Sequence, residues 1–491
     1  MNGGPRGVRL SLPTETYSFS PETRTLNEKC GIFGIYGPGE DVARQTYFGI
    51  YTLQHRGQES AGIAVTDGTR VRTHKEMGLV SQVFDEEDLR RLTGFAAIGH
   101  TRYSTTGSSR IENAQPVVMT SDIGPIAMGH NGNLVNSQEL RTELAEMGLN
   151  LETSTDSELI LAMVANAPGA TLVERIQQVF PKLSGSFSLV FLSLDKIVAV
   201  RDNLGNRPLC LGSYNGTWLI ASESCAFGAL KAKFERDILA GEILQIDDDG
   251  PRSFGQGKKP PSALCVFEFI YFARPDSVIE GATVYDARMR LGAALAKQHP
   301  VQADLVIGVP DSATAAAIGY AKESKIPFTE GLVKSRYIGR TFIEPEQSVR
   351  DFGVRLKLNP VRSVISGQRV VLIDDSIVRG TTSRKIVRML RDAGAREVHM
   401  RISCPPTISP CFYGVDTPSK KQLIAANKSV DEIRDYIGAD SLAYLSMEGM
   451  REACGDGQKT TYCTACYTGS YPTAWVDVLL EDVRPVTVKK T

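Results

Sequence analysis

Short apolar runs fill the first half of the chain. "CGIFGIYG" (30–37), "SAGIAV" (60–65), "AAIGHTRY" (96–103), "PIAMGHNGNL" (125–134) and "SFSLVFLS" (186–193) predict strands, as do "KIVAV" (196–200), "TWLIAS" (217–222) and "EILQI" (242–246). Helical periodicity appears between them in "SQELRTELAEMG" (137–148) and "DSELILAMVANA" (156–167), the first opened by Asn136 or Ser137 as a cap. Many strands with interspersed helices predict a layered α+β unit. A polar, Gly/Pro-rich stretch, "DDDGPRSFGQGKKPPS" (247–262), marks a boundary. Beyond it helices at 284–298, 312–324 and 381–394 alternate with Val/Ile/Leu strands at 303–310, 368–375 and 396–403. That rhythm predicts an α/β unit with a parallel sheet covered on both faces.

Length agrees with two domains: 491 residues exceed one ordinary core. Lys and Arg (55) nearly balance Asp and Glu (56), which argues against broad capture of nucleic acid. No apolar run of about 18 residues suggests a membrane span. Residues 1–29 lack the apolar region of a secretory signal, and Glu15, Glu22 and Glu28 are unwelcome in a transit peptide. A cytoplasmic location is expected, with a plastid as the alternative only if residues 1–29 are a transit peptide. The nine cysteines are odd in number, so reduced thiols or metal ligation are favoured over a disulfide framework.

The most specific string is "VVLIDDSIVRGTTSRK" (370–385). A buried strand ends on Asp374 and Asp375, a loop with Gly380 follows, and Thr381 and Thr382 open a helix. Backbone N–H groups at a helix N-terminus suit phosphate, and carboxylates beside them suit sugar hydroxyls or a divalent cation. A phosphorylated sugar with magnesium is the chemical expectation. The string resembles the phosphoribosylpyrophosphate (PRPP) signature of type I phosphoribosyltransferases. That resemblance implies PRPP contacts from Asp374, Asp375, Ser376, Val378, Arg379, Gly380, Thr381 and Thr382. It also implies a pyrophosphate loop in "GVPDSA" (308–313), a magnesium site at Ser312, Asp374 and Asp375, and a lid in 334–357 carrying Arg336, Arg340, Arg350 and Arg355.

The first half carries polar strings at predicted strand ends: "LQHRGQESAG" (53–62), "GHTRYST" (99–105), "GHNGNL" (129–134) and "STDSE" (154–158). Each alone is weak, and His55, His100 and His130 read equally as turn or core residues. With "CGIFGIYG" they resemble the glutaminase domain of the N-terminal-nucleophile amidotransferases. The resemblance implies αββα layers with Cys30 as the nucleophile. Arg102 would bind the glutamine α-carboxylate, Asp156 its α-ammonium, and Asn131 and Gly132 the oxyanion. A thiol of pKa about 8.5 needs help to ionise, and a free α-amine on Cys30 would be a local base. That base exists only if residues 1–29 are removed, so autocatalytic cleavage before Cys30 is expected. The alternative is that Cys30 is a buried core cysteine.

Cys463 and Cys466 form a C-x-x-C pair in "YCTACYTG" (462–469). With other cysteines of the second half they could bind zinc or a [4Fe–4S] cluster, and softness does not choose. The two halves together resemble the glutamine PRPP amidotransferase family, in its cluster-bearing, propeptide-processed branch. That implies a [4Fe–4S] cluster on Cys265, Cys411, Cys463 and Cys466, leaving Cys404 and Cys454 as plain thiols. It also implies one Mg2+ per subunit, a homotetramer, AMP and GMP feedback, and no nucleic-acid or membrane partner. The expected layout is a propeptide over 1–29, a glutamine amidotransferase unit over 30–262, a phosphoribosyltransferase unit over 263–475 and a tail over 476–491. The expected reaction joins glutamine, PRPP and water to give 5-phosphoribosylamine, glutamate and pyrophosphate, the first committed step of purine synthesis.

Overall fold

The computed structural model describes residues 30–103, 110–255, 263–335, 358–455 and 461–473. The segment expected to be a propeptide, most of the expected lid with its four arginines, and the tail lie outside the described residues.

The first unit stacks two antiparallel sheets. The larger has seven strands in the order Lys233–Asp237, Cys210–Tyr214, Thr217–Ala221, Gly31–Tyr36, Ala96–Arg102, Ser60–Thr66 and Val71–Met77. The smaller has six: Gly250–Phe254, Ile243–Asp247, Ile197–Arg201, Gly185–Leu192, Gly124–Leu134 and Val117–Ser121. Ile32, Ile98, Ala127, Val190, Ala199 and Ile220 fill the space between the sheets. The outer face of the larger sheet packs Phe33 and Ile35 against Val42 and Ile50 of the helix Val42–Thr52. The outer face of the smaller packs Leu189 and Phe191 against Leu159 and Ile160 of the helix Asp156–Asn166. The layers therefore run helix, sheet, sheet, helix. Both faces of the central strand Gly31–Tyr36 are buried throughout, which is why it reads as almost unbroken apolar sequence.

Sequence periodicity misses the strands Val71–Met77 and Gly250–Phe254 for one reason. Both are edge strands with no fully buried residue and mostly polar side chains, so neither shows a regular apolar face to reveal it. Gly250–Phe254 lies inside the stretch read as a boundary, which shortens that boundary to the residues after it.

The second unit is a four-stranded parallel sheet in the order Leu305–Gly308, Arg369–Asp374, Glu397–Ile402 and Ser441–Tyr444. The helices Val284–Gln298, Thr314–Ser324 and Thr381–Asp392 contribute Leu291, Ala317 and Ile386 to its core. Leu264–Cys265 pairs in parallel with Tyr462–Cys463, joining the start of this unit to its end by backbone hydrogen bonds. Among the described residues no helix is long and apolar enough to cross a membrane.

The inter-sheet core sets the spacing of the strands that end at the candidate site. Ile98→Ala at its centre is expected to cost about 2–5 kcal/mol, readable as a lower denaturant midpoint with an unchanged slope.

Candidate active site

Strand register places the first cluster. Gly31 pairs with Thr101, so Cys30 emerges beside Arg102 at the end of the neighbouring strand. The Cys30 Sγ donates weakly to the Tyr103 carbonyl at 3.7 Å, and the Cys30 carbonyl accepts from Arg56 Nε at 3.2 Å. Burial pushes the Cys30 thiol up. Arg102 opposes this, while Asp156 and Glu59 add to it, so all three charged groups lie in the field of the thiol. Arg102 is buried, with Glu59 3.7 Å from its guanidinium.

Asn131 and Gly132 sit in the long strand Gly124–Leu134, paired with Ser188 and Phe187. Asn131 is fully buried, and its side-chain Nδ2 has no hydrogen-bond acceptor, leaving a donor held away from water without a partner. Gly132 must be glycine: its φ is +156°, and a Cβ there would lie 1.9 Å from the Ser186 carbonyl oxygen. Asp156 opens the helix Asp156–Asn166, whose cap is Thr155 accepting from Glu158 N–H. Burial alone would raise the Asp156 pKa. His130, 3.5 Å away, and the Leu134 N–H at 3.1 Å outweigh it, so the group stays below the usual carboxylate range and remains charged.

The histidines are structural in this arrangement. His100 Nε2 donates to the His130 carbonyl (3.0 Å), and burial pushes its pKa down to about 3, leaving it neutral. His130 is held by Ser157 Oγ at 3.1 Å, and Gln115 joins the two through Ser157 and the His130 N–H. His55 lies 2.9 Å from Glu223. Sequence reasoning missed Gln115, Ser157, Arg56 and Glu223. Ser157 and Arg56 lie within quoted strings and Gln115 and Glu223 in none, and nothing local says which of them meet.

The second cluster lies at the carboxyl end of the parallel sheet. Asp374 ends its strand and Asp375 follows. Ser312 Oγ donates to Asp375 at 2.5 Å and Ser376 Oγ at 2.6 Å, while the Asp375 N–H donates to Asp374 at 3.0 Å. Burial holds both carboxyls above the ordinary range, and repulsion from Asp375 adds to it at Asp374, which stands well above that range. Gly380, at φ +75°, turns the chain into the helix begun by Thr381 and Thr382, against Ile424 and Tyr436. The Val378 carbonyl accepts from Ile424 N–H, and Arg379 donates to Gln422 at 3.1 Å. The "GVPDSA" segment leaves the adjacent strand Leu305–Gly308, so the expected pyrophosphate loop and the Asp374–Thr382 string lie side by side.

Three expectations are corrected. Among the described residues no group of three or more His, Cys, Asp or Glu side chains is arranged to hold a metal ion. That removes the [4Fe–4S] cluster on Cys265, Cys411, Cys463 and Cys466. The four thiols do share one region, but burial raises all of them, Cys265 to about 11 and Cys463 to about 12, so they stand as neutral thiols. Backbone pairing of Leu264–Cys265 with Tyr462–Cys463 brings Cys265 and Cys463 together. Ser312 and the Asp374–Asp375 pair are brought together at the end of the parallel sheet, an oxygen donor set of the kind that suits a hard divalent cation.

The N-terminal-nucleophile class and autocatalytic removal of residues 1–29 find no support either. The amidotransferase profile that matches this chain spans residues 100–229 and does not reach Cys30.

That profile is described as a glutamine amidotransferase domain. A second, described as a phosphoribosyl transferase domain, matches 282–436. The chain is 54% identical over 453 residues to an amidophosphoribosyltransferase of Synechococcus elongatus, covering 91% of this chain and 92% of that one. It is 50% identical to one of Methanocaldococcus jannaschii, covering 90% and 98%. Among solved structures, glutamine PRPP amidotransferase of B. subtilis, complexed with ADP and GMP, superposes with a TM-score of 0.85 at 46% identity, covering 90% of this chain and 97% of that one.

Gly132→Ala forces a Cβ into the Ser186 carbonyl. It is expected to abolish glutamine use in a glutamate-release assay and to leave ammonia-dependent turnover measurable.

Proposed function

The chain belongs to the amidophosphoribosyltransferase family, and from that membership we propose how its residues divide the reaction. The enzyme is a glutamine-dependent PRPP amidotransferase that makes 5-phosphoribosylamine, the first step of purine biosynthesis. Residues 30–262 take the glutamine half and 263–475 the PRPP half.

Glutamine enters with its α-carboxylate on Arg102, where a guanidinium offers a two-pronged match, and its α-ammonium on Asp156. Cys30 attacks the side-chain amide. A thioester forms, the C–N bond breaks, and the thiol proton leaves on the departing ammonia. Asn131 Nδ2 and the Gly132 N–H hold the oxyanion of the tetrahedral intermediate, a contribution of about 3–4 kcal/mol for one such donor. Water then hydrolyses the thioester to glutamate and restores the thiol. Ammonia attacks C1 of PRPP and pyrophosphate leaves. Asp374 and Asp375 accept the ribose hydroxyls, and the N–H groups and hydroxyls of Ser376, Val378, Arg379, Gly380, Thr381 and Thr382 hold the 5-phosphate at the helix N-terminus.

The observation that carries this reading is the buried, unpartnered Asn131 Nδ2 in the same strand end as Gly132, within the charged surroundings of Cys30. Nucleotide feedback goes with it, supported by the ADP- and GMP-complexed B. subtilis relative, and a homotetramer is the assembly proposed from the family resemblance.

Cys30→Ala is expected to abolish pyrophosphate release with glutamine and to spare release with ammonium salts. Asp375→Asn is expected to lower both by at least about tenfold, because it touches the shared acceptor. Glutamine use surviving in Cys30→Ala would refute the assignment.

A further inference from the structure

Neither substrate site uses the buried charges that lie between the units. Arg56 and Arg207 from the first unit meet Glu223, also from the first, and Glu268 from the second, and all four are fully buried. Arg56 Nη1 and Nη2 donate to the two Glu268 carboxylate oxygens at 3.0 and 3.1 Å, and Arg56 also pairs with Glu223. The same guanidinium donates through Nε to the Cys30 carbonyl. Arg207 lies 3.7 Å from Glu268 on the other side and donates to the Tyr413 carbonyl.

Tyr413 belongs to a loop of the second unit that touches the oxyanion strand. Its carbonyl also accepts from Ser186 Oγ at 3.2 Å, the Phe412 carbonyl accepts from Asn133 Nδ2 at 2.9 Å, and Gly414 packs on the Gly132 carbonyl. Glu268 therefore stands at the middle of one connected chain. One arm ends on the backbone of Cys30 and the other on the backbone around Gly132.

The turn carrying Glu268 is fixed from the PRPP side. It closes with a π-type hydrogen bond from Ala273 N–H to the Glu268 carbonyl. Arg288, on the helix Val284–Gln298, donates to the Phe269 and Ala273 carbonyls at 2.7 and 2.8 Å. That buried guanidinium also lies in the field of Asp375.

We propose that Glu268, a residue of the phosphoribosyl half, is a positioning residue for glutamine cleavage, holding the nucleophile through Arg56 and the oxyanion backbone through Arg207. The inference rests on Cys30 being the nucleophile. Glu268 touches neither substrate, so its effect falls on the geometry of attack. A displacement of about 1 Å at a reacting centre can cost about a hundredfold in rate. Arg102 and Asp156 bind glutamine independently of it, so the loss belongs in kcat and not in KM.

The test is Glu268→Gln in the full-length enzyme, measured with glutamine and with ammonium salts. The expected result is a fall of about ten- to a hundredfold in glutamine-dependent kcat, KM for glutamine within about twofold, and ammonia-dependent turnover preserved. Glu268→Asp is expected to recover part of the loss. Should Glu268→Gln not fold, the charge-balanced pair Glu268→Gln with Arg207→Gln takes its place, with the same split expected. Equal loss with both nitrogen donors, or no loss with either, overturns the proposal. Cys30→Ala measured alongside separates the premises. If it keeps glutamine use, the nucleophile assignment fails; if it loses glutamine use while Glu268→Gln keeps it, only the positioning role fails.

Discussion

Two arginines and two glutamates buried together impose the main constraint on how the units meet. Removing such ions from water costs several kcal/mol each, and although Arg56 and Glu223 pair within the first unit, Glu268 finds its arginine partners only across the interface. Arg56 shows the balance. Burial would weaken its hold on a proton, yet Glu268 and Glu223 more than reverse that and keep it firmly charged. Glu223 moves the opposite way, held well below its ordinary range by His55 and Arg56 against the pull of burial. The set is electrically neutral only when Glu268 arrives from the second unit. Docking is thus specified by charge as well as by apolar area, and leaving one partner unmatched costs about 3–5 kcal/mol.

The same constraint fixes where chemistry can sit. The proposed glutamine site draws on strand ends of both sheets, with Cys30 and Arg102 from the larger and Asn131 from the smaller. The proposed PRPP site lies at the carboxyl end of a parallel sheet, where a strand gives way to a helix N-terminus. Both are strand-end sites on rigid scaffolds, and side chains on such scaffolds are held more accurately than those on free loops. The second unit leans its 267–277 segment and its Phe412–Gly414 loop on the first exactly where that site opens.

What was legible in the sequence follows locality. The string from Val370 to Lys385 is strand, loop and helix in one stretch, so its residue order alone shows which groups converge. Strand existence was readable at Gly31–Tyr36 because both faces are buried, and unreadable at Val71–Met77 because that edge is polar. The partners of Arg56 were not readable. Its two carboxylates lie 167 and 212 positions away, and no periodicity encodes such a meeting. Cysteine spacing misled for the complementary reason. Cys265 and Cys463 do meet, as register partners of a parallel strand pair, but proximity of thiols does not make a ligand set.

An enzyme that releases ammonia at one centre and consumes it at another must keep that ammonia unprotonated and away from bulk water. This favours a shared wall over two independent pockets, and the residues between the centres have the character of such a wall. Phe267, Phe269, Ile270 and Phe272 are all buried beside the charged set, and Phe267 stacks on Tyr467 of the chain's closing segment. The apolar side chains exclude water, while Glu268 alternates out of that face to meet Arg56. One short turn therefore contributes both to the dryness of the interface and to its register. Substitutions there that keep the apolar residues but shift the turn should separate the two contributions, because water exclusion depends on side-chain volume and register depends on where the Glu268 carboxylate stands.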